Sequence, residues 1–354
     1  MQKPSLLIVG IIIFYATLEA PADCPEFFRG IQSGTVKSNM LAEISGIAAS
    51  RKNSDVLWVH NDSGDAATVY AMDIEGNHLG AYSLSGANAV DWEDMAIGPG
   101  PDKDEDYLYL GDIGDNWAGR SNIVVYRVRE PHVGSNQLPV NETLSGVESL
   151  RLAYPDGARD AETLMLDPLT KDLYVISKRE SNSRIYVASY PQSTSEVIVM
   201  EHKGQLPWGL TTGGDISVKG SLVIMRGYVN VSVWRRITGM EIWEAFETEQ
   251  CIVPIVIEPL GEAICFDGEG CGYYTVSEGV YRPIHYFGRD GECPLEGDVN
   301  SDGNIGLLDM KIFADHWLDF LCGGANSWCE KCDLDKSGGV DLVDFAYLGE
   351  DWSK

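Results

Sequence analysis

The chain contains 354 residues, and its 54 acidic residues against 26 Lys and Arg give a formal net charge of −28. This charge argues against nucleic acid as a partner, because binding to phosphates depends on Lys and Arg, and against a role on anionic membranes. The hydrophobic fraction of 44% is sufficient for a core, and the length predicts one large domain with a small one, or two of medium size. Metal cations, positively charged partners and neutral ligands such as sugars agree with this composition.

The first 22 residues have the pattern of an export signal. Lys3 precedes an apolar run, from Leu6 to Tyr15, that is too short to span a bilayer. Small residues at Ala20 and Ala22 predict cleavage before Asp23, and an uncleaved membrane anchor is the less favoured alternative. We therefore expect a secreted bacterial protein with no membrane contact after cleavage, whose cysteines meet an oxidising compartment.

Residues 23–292 contain five similar β units. Each opens with a short strand, a second and a third strand follow, and a fourth is more variable. The aligned opening residues are Ser45, Glu93, Glu162, Asp215 and Glu262. These residues are 48, 69, 53 and 47 positions apart, and four antiparallel strands per unit at such a period are typical of a β-propeller. The segment near Ile31 to Val36 would complete the last blade and remove the exposed edges. The pattern predicts a mainly β fold with five blades; six blades and a two-sheet sandwich are the alternatives.

Acidic residues at the start of these units are candidate catalytic or metal-binding residues. The innermost strands of a propeller line its central channel, so these side chains would converge at one end of it. The candidates are Glu93, Asp94, Glu162, Asp215 and Glu262, flanked by Asp91 and Asp160. Carboxylates held close together need a cation or raised pKa values, which makes this end a candidate metal or acid/base site. Alternatively, they accept hydrogen bonds from backbone amides of neighbouring loops and only fix the blade geometry.

A second polar group follows the second strand of each unit. If these loops share a face with the acidic residues, Lys178, Arg179 and Arg226 would offset part of the charge and bind an anionic substrate such as a phosphate ester or uronic acid. The alternative is a set of solvated turns. Tryptophans that either stack on sugar rings or pack between blades are Trp92, Trp117 and Trp208.

Two motifs in the first two units carry a resemblance. They read Ser45-Gly-Ile-Ala followed by His60-Asn-Asp-Ser-Gly, and Asp91-Trp-Glu-Asp-Met-Ala-Ile-Gly-Pro. Through them, residues 43–130 resemble secreted propellers of the phytase-like esterase group. The resemblance implies hydrolysis of phosphate or other esters in a metal-bearing channel, with Glu93 and Asp94 as metal ligands or an acid/base pair and Asp62 beside them. The sequence contains no Gly-x-Ser-x-Gly elbow and no His-Glu-x-x-His zinc helix.

Eight cysteines allow many pairings, so the full connectivity cannot be derived. Two local disulfides are favoured, Cys265–Cys271 across a short turn and Cys322–Cys329 across a short loop. Cys329 and Cys332 could also form half a zinc site or a redox pair, but no second Cys-x-x-Cys is present.

Residues 296–354 contain two copies of a calcium-loop pattern, at 298–309 and 333–344. Both place oxygen-bearing side chains at loop positions 1, 3, 5 and 12 and Gly at position 6, as six to eight hard oxygen ligands and a sharp turn require. The candidate calcium ligands of the first loop are Asp298, Asn300, Asp302, Asn304 and Asp309. Those of the second loop are Asp333, Asp335, Ser337, Gly339, Asp341 and Asp344. Asn304 and Gly339 would contribute backbone carbonyls, and Asp341 would act through a water.

Each loop leads into one predicted helix with apolar residues at helical spacing. With Asp rather than Glu at position 12, the pair of loop–helix units resembles a type I dockerin domain. The resemblance implies two bound calcium ions and docking onto a cohesin-type module of a larger assembly. Positions 10 and 11 hold Leu307-Leu308 and Leu342-Val343, where many cellulosomal dockerins carry small hydroxyl residues, so a non-cellulosomal dockerin is favoured.

The sequence therefore predicts a propeller at 23–292 and a small all-α, calcium-binding dockerin at 296–354. The first functional hypothesis is a binding or display component whose propeller recognises an extracellular ligand, with carbohydrate and anionic small molecules among the candidates. The alternative is an extracellular hydrolase, acting on phosphate esters or on glycosidic bonds in polysaccharide catabolism, that uses the channel carboxylates and a further channel metal. In a third hypothesis, the propeller is only a spacer and the dockerin interaction alone matters.

Overall fold

The computed structural model describes residues 24–62, 64–134, 137–237, 239–290, 297, 299–300, 305–323, 326–334 and 337–352. The predicted export signal lies outside these residues, as do the candidate calcium ligands Asp298, Asp302, Asn304 and Asp335. No helix in the described part of the chain combines the length and apolarity needed to cross a membrane.

The strands of the described residues form five sheets, each of which has an inner edge at the channel and an outer edge at the periphery. From the inner to the outer edge, the first blade contains β2 (Ile44–Ala49), β3 (Val56–Asn61), β4 (Thr68–Asp73), β5 (His78–Leu84) and β9 (Val140–Leu144). In the same order, the second contains β6 (Trp92–Pro99), β7 (Asp106–Asp112), β8 (Ile123–Arg129), β10 (Glu148–Ala153) and β14 (Ile198–Val199). The third contains β11 (Ala161–Leu166), β12 (Leu173–Ser177), β13 (Arg184–Ala188) and β15 (Glu201–Gln205). The fourth contains β16 (Thr211–Ile216), β17 (Leu222–Gly227), β18 (Val231–Arg235) and β19 (Cys251–Ile252), with helix α1 (Ile242–Ala245) between the last two. The fifth contains β20 (Gly261–Phe266), β21 (Gly272–Ser277), β22 (Pro283–Gly288) and β1 (Ile31–Thr35).

The innermost strands close into a ring. Strands β2, β6, β11, β16 and β20 contact one another in this order, and β20 in turn contacts β2. Strand β1 pairs with β22 at the outer edge of the fifth blade, so the segment near Ile31 completes the last blade as predicted. The prediction of a five-bladed β-propeller is confirmed, and the six-bladed and two-sheet alternatives are wrong.

The propeller core is divided into layers between neighbouring blades. Trp58 and Trp92 are buried between the first and second blades, and Phe266 and Phe287 between the fourth and fifth. Each fully buried large apolar side chain contributes about 1.5–3 kcal/mol. Because side chains alternate between the two faces of a strand, every inner strand packs against both of its neighbours. The five packed blades, which we call the frame, are therefore stabilised independently of the polar residues around the channel.

Each inner strand carries a β-bulge at its beginning. The pairing register shifts between Ile44 and Gly46, Trp92 and Asp94, Ala161 and Thr163, Thr211 and Gly213, and Gly261 and Ala263. The bulged residues are therefore Ser45, Glu93, Glu162, Thr212 and Glu262. The fourth-blade equivalent is thus Thr212, and the alignment of Asp215 with the other opening residues is wrong. Asp215 lies further along β16. It resembles the other opening residues in type, but the strand register places Thr212 at the bulge.

The disulfides confirm one local prediction and correct another. Cys322–Cys329 is formed as predicted, and Cys24 is joined to Cys251 of β19. The predicted Cys265–Cys271 disulfide is wrong. Cys265 is a buried free thiol in the layer between the fifth and first blades, whereas Cys271 belongs to another disulfide.

The C-terminal module, residues 297–352, contains helices α2 (Leu307–Asp315), α3 (Ser327–Lys331) and α4 (Leu342–Asp351). Helices α2 and α4 both begin at position 10 of the two calcium-loop patterns, so each pattern leads into a helix as the sequence predicts. A small core forms around Phe313, Val340 and Leu348. The end of the first unit pairs with the second loop, because Leu318 N donates to Val340 O at 3.0 Å.

Candidate functional site

The bulged residues and the loops after the second strands lie at the same end of the channel, which we call the mouth. Each second strand runs antiparallel to its inner strand, so its last residues return to the bulge. Asp62 N donates to Glu43 O at 2.8 Å, and Lys178 N donates to Asp160 O at 3.0 Å. The acidic residues at the start of the inner strands and the polar loops after the second strands therefore share one face of the propeller.

Two overlapping groups of carboxylates form at the mouth. Asp62, Asp91 and Glu93 make one group, and Glu93, Asp160 and Glu162 make the other. In each group, one oxygen from every side chain lies within 4.8 Å of the others. Glu93 belongs to both, so it lies between two positions at which oxygen ligands could surround a cation. Carboxylate oxygens are the ligands that Ca²⁺ and Mg²⁺ prefer.

The third bulged glutamate, Glu262, lies beside these groups. It receives a hydrogen bond from the hydroxyl of Tyr228 at 3.1 Å, and its charge acts on Glu162 and Glu278. The structure thus brings together three of the five predicted acidic residues, Glu93, Glu162 and Glu262. Tyr228 was missed by the sequence analysis, since nothing in the sequence distinguishes it from a core tyrosine.

Burial and neighbouring charges raise the pKa of several mouth carboxyls. Desolvation raises the pKa of Glu93 most strongly, followed by repulsion from Glu162. Desolvation also raises the pKa of Glu162, although Lys178 opposes the shift. Desolvation and the nearby Glu262 raise the pKa of Glu278 to about 8. These carboxyls therefore favour protons at neutral pH unless a metal ion or an ammonium group replaces the protons.

Asp94 and Asp215 stabilise the frame instead of reaching the mouth groups. Asp94 accepts hydrogen bonds from Met95 N at 2.8 Å and from Leu164 N of the next blade at 3.0 Å. Asp215 accepts from Ile216 N at 2.8 Å and from Phe266 N, also of the next blade, at 2.9 Å. For these two residues, the geometry matches the alternative that acidic side chains bind backbone amides and fix the blades.

The hydroxyl residues at the remaining bulges also join blades. Ser45 Oγ donates to Glu93 O, and Thr212 Oγ1 donates to Gly261 O at 3.3 Å. In both cases, the acceptor belongs to the inner strand of the next blade. The bulge therefore carries two kinds of residue, hydroxyls that link neighbouring strands and glutamates that lie together at the mouth.

The basic residues near the mouth are already engaged. Lys178 forms an ion pair with Glu162, and Arg179 Nε lies 2.5 Å from Asp160 Oδ2. Arg226 is fully buried between the fourth and fifth blades, and its guanidinium lies 2.6 Å from Glu258. The geometry therefore favours a cation over the anionic substrate that the sequence analysis considered.

Of the three candidate tryptophans, Trp117 alone is largely exposed. Trp92 is buried, and Trp208 is half-buried, with its indole N–H donating to Gln250. Trp117 is 94% exposed on the loop after β7. Asp115 Oδ1 fixes this loop by accepting from Gly119 N at 2.9 Å. The loop thus presents an aromatic side chain on an ordered backbone at the mouth face.

The two C-terminal loops use their position 12 aspartates in the same way. Asp309 is buried, with Oδ1 accepting from Asn300 N at 3.0 Å and Oδ2 accepting from Gly306 N at 2.9 Å. Asp344 is also buried, with Oδ2 accepting from Asp341 N at 2.8 Å. Each carboxylate therefore holds its loop against the first turn of the following helix.

The remaining described residues of the second loop complete a tight turn. Asp333 accepts from Ser337 N and from Gly338 N, both at 3.0 Å. Gly338, at loop position 6, has φ +100°, a conformation that favours glycine. Ser337 Oγ donates to the carbonyl of Gly339, and Asp341 caps α4 by accepting from Val343 N. The oxygen-rich donor set suits a hard cation.

Comparisons with known proteins add little to this description. No protein-family model matches the chain, and no curated protein is recognisably similar to it in sequence. Among solved structures, a chain from the crystal structure of a nidogen/laminin complex is similar with a TM-score of 0.39 and 11% sequence identity. The similarity covers 67% of this chain and 73% of that chain. So distant a similarity indicates nothing about function.

Proposed function

We propose that this protein is a secreted recognition component of an extracellular assembly. Its propeller binds an extracellular ligand through the mouth. Its C-terminal module is a dockerin-like unit that binds two calcium ions and attaches the chain to a cohesin-type module or a similar scaffold. Secretion is supported by the N-terminal export pattern and by the Cys24–Cys251 disulfide, because disulfides persist in oxidising compartments.

The observation that carries the calcium proposal is the matched geometry of Asp309 and Asp344. Both are buried carboxylates at position 12 of a twelve-residue pattern, and both accept a hydrogen bond from the backbone N–H at position 9. Burying a carboxylate is costly unless it is paired with a cation or hydrogen-bonded. A calcium ion in each loop would compensate the clustered charge and join the loop to its helix.

Attachment through this module is supported by its exposed apolar residues. Leu307 and Leu308 begin α2 and are exposed, and Leu342 and Val343 are exposed at the same positions of α4. Exposed apolar side chains at matching places in two units are typical of a binding surface. Because they lie next to Asp309 and Asp344, calcium would control their arrangement.

The calcium proposal is tested by isothermal titration of the chelator-treated full chain. We expect two calcium ions per chain in the wild type and one in Asp344→Asn, since this change weakens a single loop. Asp315→Asn alters an exposed carboxylate of α2 outside both patterns and is the matched control. A wild-type stoichiometry of zero, or equal binding by the wild type and Asp344→Asn, would contradict the proposal.

A second candidate function is hydrolysis at the mouth. It is favoured by Glu93, which is shared by two carboxylate groups and has a raised pKa. A carboxyl that holds a proton near neutral pH can act as a general acid, and a divalent cation beside it would polarise a phosphoryl or ester oxygen. Nitrophenyl phosphates and glycosides, assayed with added divalent cations, test this candidate. Turnover that is lost in Glu93→Gln would support it, and no turnover of any substrate would remove it.

A further inference from the structure

The mouth has an acidic half and an apolar half at equivalent positions of the blades. Two residues before the bulge, the first three blades carry Glu43, Asp91 and Asp160, and the last two carry Leu210 and Leu260. In the loops after the second strands of the fourth and fifth blades, the exposed residues are also apolar, namely Val229, Val280 and Tyr281. The acidic residues that the fifth blade contributes, Glu262 and Glu278, are more buried. We call Leu210, Val229, Leu260, Val280 and Tyr281 the apolar half.

The leucines of the apolar half are exposed in an unfavourable backbone conformation. Leu210 has φ +62° and is 55% exposed, and Leu260 has φ +51° and is 57% exposed. Tyr281 has φ +56° and is similarly exposed. A left-handed conformation costs about 1–2 kcal/mol for a residue with a Cβ. Bulky side chains are therefore held in solvent at a cost to folding.

The opposite end of the propeller shows how such positions are filled when no contact is required. The turns between the inner and second strands each contain one left-handed residue in the described chain. These residues are Asp55, Asp104, Lys171, Gly220 and Gly270. They are polar residues or glycines, which suit a solvated turn. The bulky apolar residues at the mouth depart from this pattern and indicate a surface that is covered by a partner.

The two halves are in direct backbone contact where the third and fourth blades meet, because Leu210 N donates to Lys178 O at 3.0 Å. Within the fifth blade, Glu278 N donates to Leu260 O at 3.2 Å, which places a carboxyl beside the second leucine. Neither Asp91 nor Glu93 forms an ion pair with a Lys or Arg of the described chain. A ligand that covers the leucines would thus place its neighbouring groups beside carboxyls that have no basic partner, and an ammonium or guanidinium group there could replace the proton that Glu93 favours.

We propose that the mouth docks a segment of a partner protein in which a Lys or Arg is flanked by apolar residues. The basic side chain lies between Asp91 and Glu93, and the apolar neighbours cover Leu210, Leu260 and Tyr281. Charge complementarity selects the basic residue and accelerates association with a chain of net charge −28. This inference rests on the recognition role that we propose for the propeller.

A polypeptide fits the apolar half better than a carbohydrate does. Sugar rings bind to exposed aromatic faces, whereas the apolar half offers aliphatic side chains together with Tyr281. Trp117, the exposed tryptophan, lies in the second blade among the acidic residues. Its ring is suited to a cation–π contact with an Arg or Lys of the docked segment.

The experiment selects random heptapeptides displayed on phage with the immobilised full chain in millimolar calcium. We expect enriched peptides to contain Lys or Arg next to apolar residues. Their affinities are then measured by fluorescence anisotropy, together with versions in which norleucine replaces the basic residue. Loss of the charge should weaken binding about tenfold or more, which corresponds to about 1.4 kcal/mol.

Two variants and a matched control test both halves. Leu260→Asp should weaken binding about tenfold without unfolding the chain, because Asp tolerates the left-handed conformation. Glu93→Gln should lower the affinity for peptides that contain a basic residue, but it should not change the affinity for their norleucine versions. Leu169→Asp is the control, since Leu169 is 53% exposed in a turn at the opposite end, and it should bind within about twofold of the wild type.

Three outcomes would overturn the proposal. These are no enrichment of any peptide, enriched peptides without a basic residue, and equal binding by the wild type and Leu260→Asp. Binding to a glycan array with no peptide enrichment would assign the mouth to carbohydrate instead. The calcium titration of the C-terminal module is unaffected by any of these results, so failure of the docking proposal is distinguishable from failure of the calcium proposal.

Discussion

The propeller and the C-terminal module both hold clustered carboxylates, but they do so in different ways. In the propeller, Glu93 and Glu162 sit on a frame that is stabilised by buried layers between the blades. In the module, Asp309 and Asp344 themselves shape the loops, and the core around Phe313 is small. The comparison teaches that an acidic site can be mounted on a fold or can be part of the fold. If both sites take a cation as proposed, its loss should leave the propeller folded but unfold the module.

The calcium proposal predicts the largest effect: removal of calcium should change the structure of the module alone. Without a cation, the repelling carboxylates are left on loops with little core to support them. We expect chelation to remove the helical circular dichroism of the module while the propeller keeps its β signal and melting transition. Readdition of calcium, with magnesium as the control ion, should restore the helical signal. A melting profile that is unchanged by the chelator would show that the module, too, is stabilised by its core.

The closure of the propeller frame is tested by the Cys24–Cys251 disulfide. It joins residues that are 227 positions apart, whereas Cys322 and Cys329 are seven apart. In the chain-entropy model, the longer loop is worth about 5 kcal/mol and the shorter one about 2–3 kcal/mol. Replacing Cys24 and Cys251 with serine should therefore destabilise the propeller more than the equivalent change at Cys322 and Cys329 destabilises the module. Denaturant unfolding measures both values, and an equal loss would contradict the model.

A third test separates the carboxylates that belong to the frame from those mounted on it. Asp94→Ala leaves buried amides of Met95 and Leu164 without their acceptor, and unsatisfied buried donors cost about 1–3 kcal/mol each. We expect the free energy of unfolding of the propeller to fall by about 3 kcal/mol. Glu93→Gln, one residue away, removes repulsion and should leave stability unchanged or higher. A large loss in Glu93→Gln would show that the mouth carboxylates also support the frame.

The overall fold could be predicted because its determinants are local and repeated. Each blade contains its own alternating strands and turns, so the unit is visible in sequence, and the segment near Ile31 is recognisable as the missing outer strand of the last blade. The twelve-residue loops are likewise contiguous, which is why α2 and α4 begin where the pattern predicts.

The roles of individual carboxylates could not be predicted, because they depend on contacts between blades. Asp94 accepts a hydrogen bond from the backbone N–H of Leu164, which is 70 residues away, and no local sequence pattern indicates this pairing. The bulge that places Thr212, rather than Asp215, beside the mouth is a property of strand register and not of residue type. The apolar half was missed for the same reason, since Leu210 and Leu260 become equivalent to Asp91 and Asp160 only when the blades are superimposed.

The smallest expected effect concerns the pH dependence of propeller stability. The pKa of Glu278 is raised from 4.5 to about 8, so the folded state binds a proton more tightly than the unfolded state does. This contribution leaves stability intact below pH 4.5 and lowers it as the pH rises towards 8. Glu278→Gln removes the cost, so its melting temperature should match the wild type at pH 4.5 and exceed it by roughly 2 °C at pH 8.

The measurement uses calorimetry of the chelator-treated chain, in which the propeller transition is followed alone. Glu249→Gln changes an exposed glutamate outside the mouth and serves as the control for the loss of one charge. If both variants gain equally at pH 8, the effect arises from the net charge of the whole chain and not from the mouth. A gain restricted to Glu278→Gln would show that the propeller tolerates the cost of an ionised Glu278, which arises from burial and then from repulsion by Glu262.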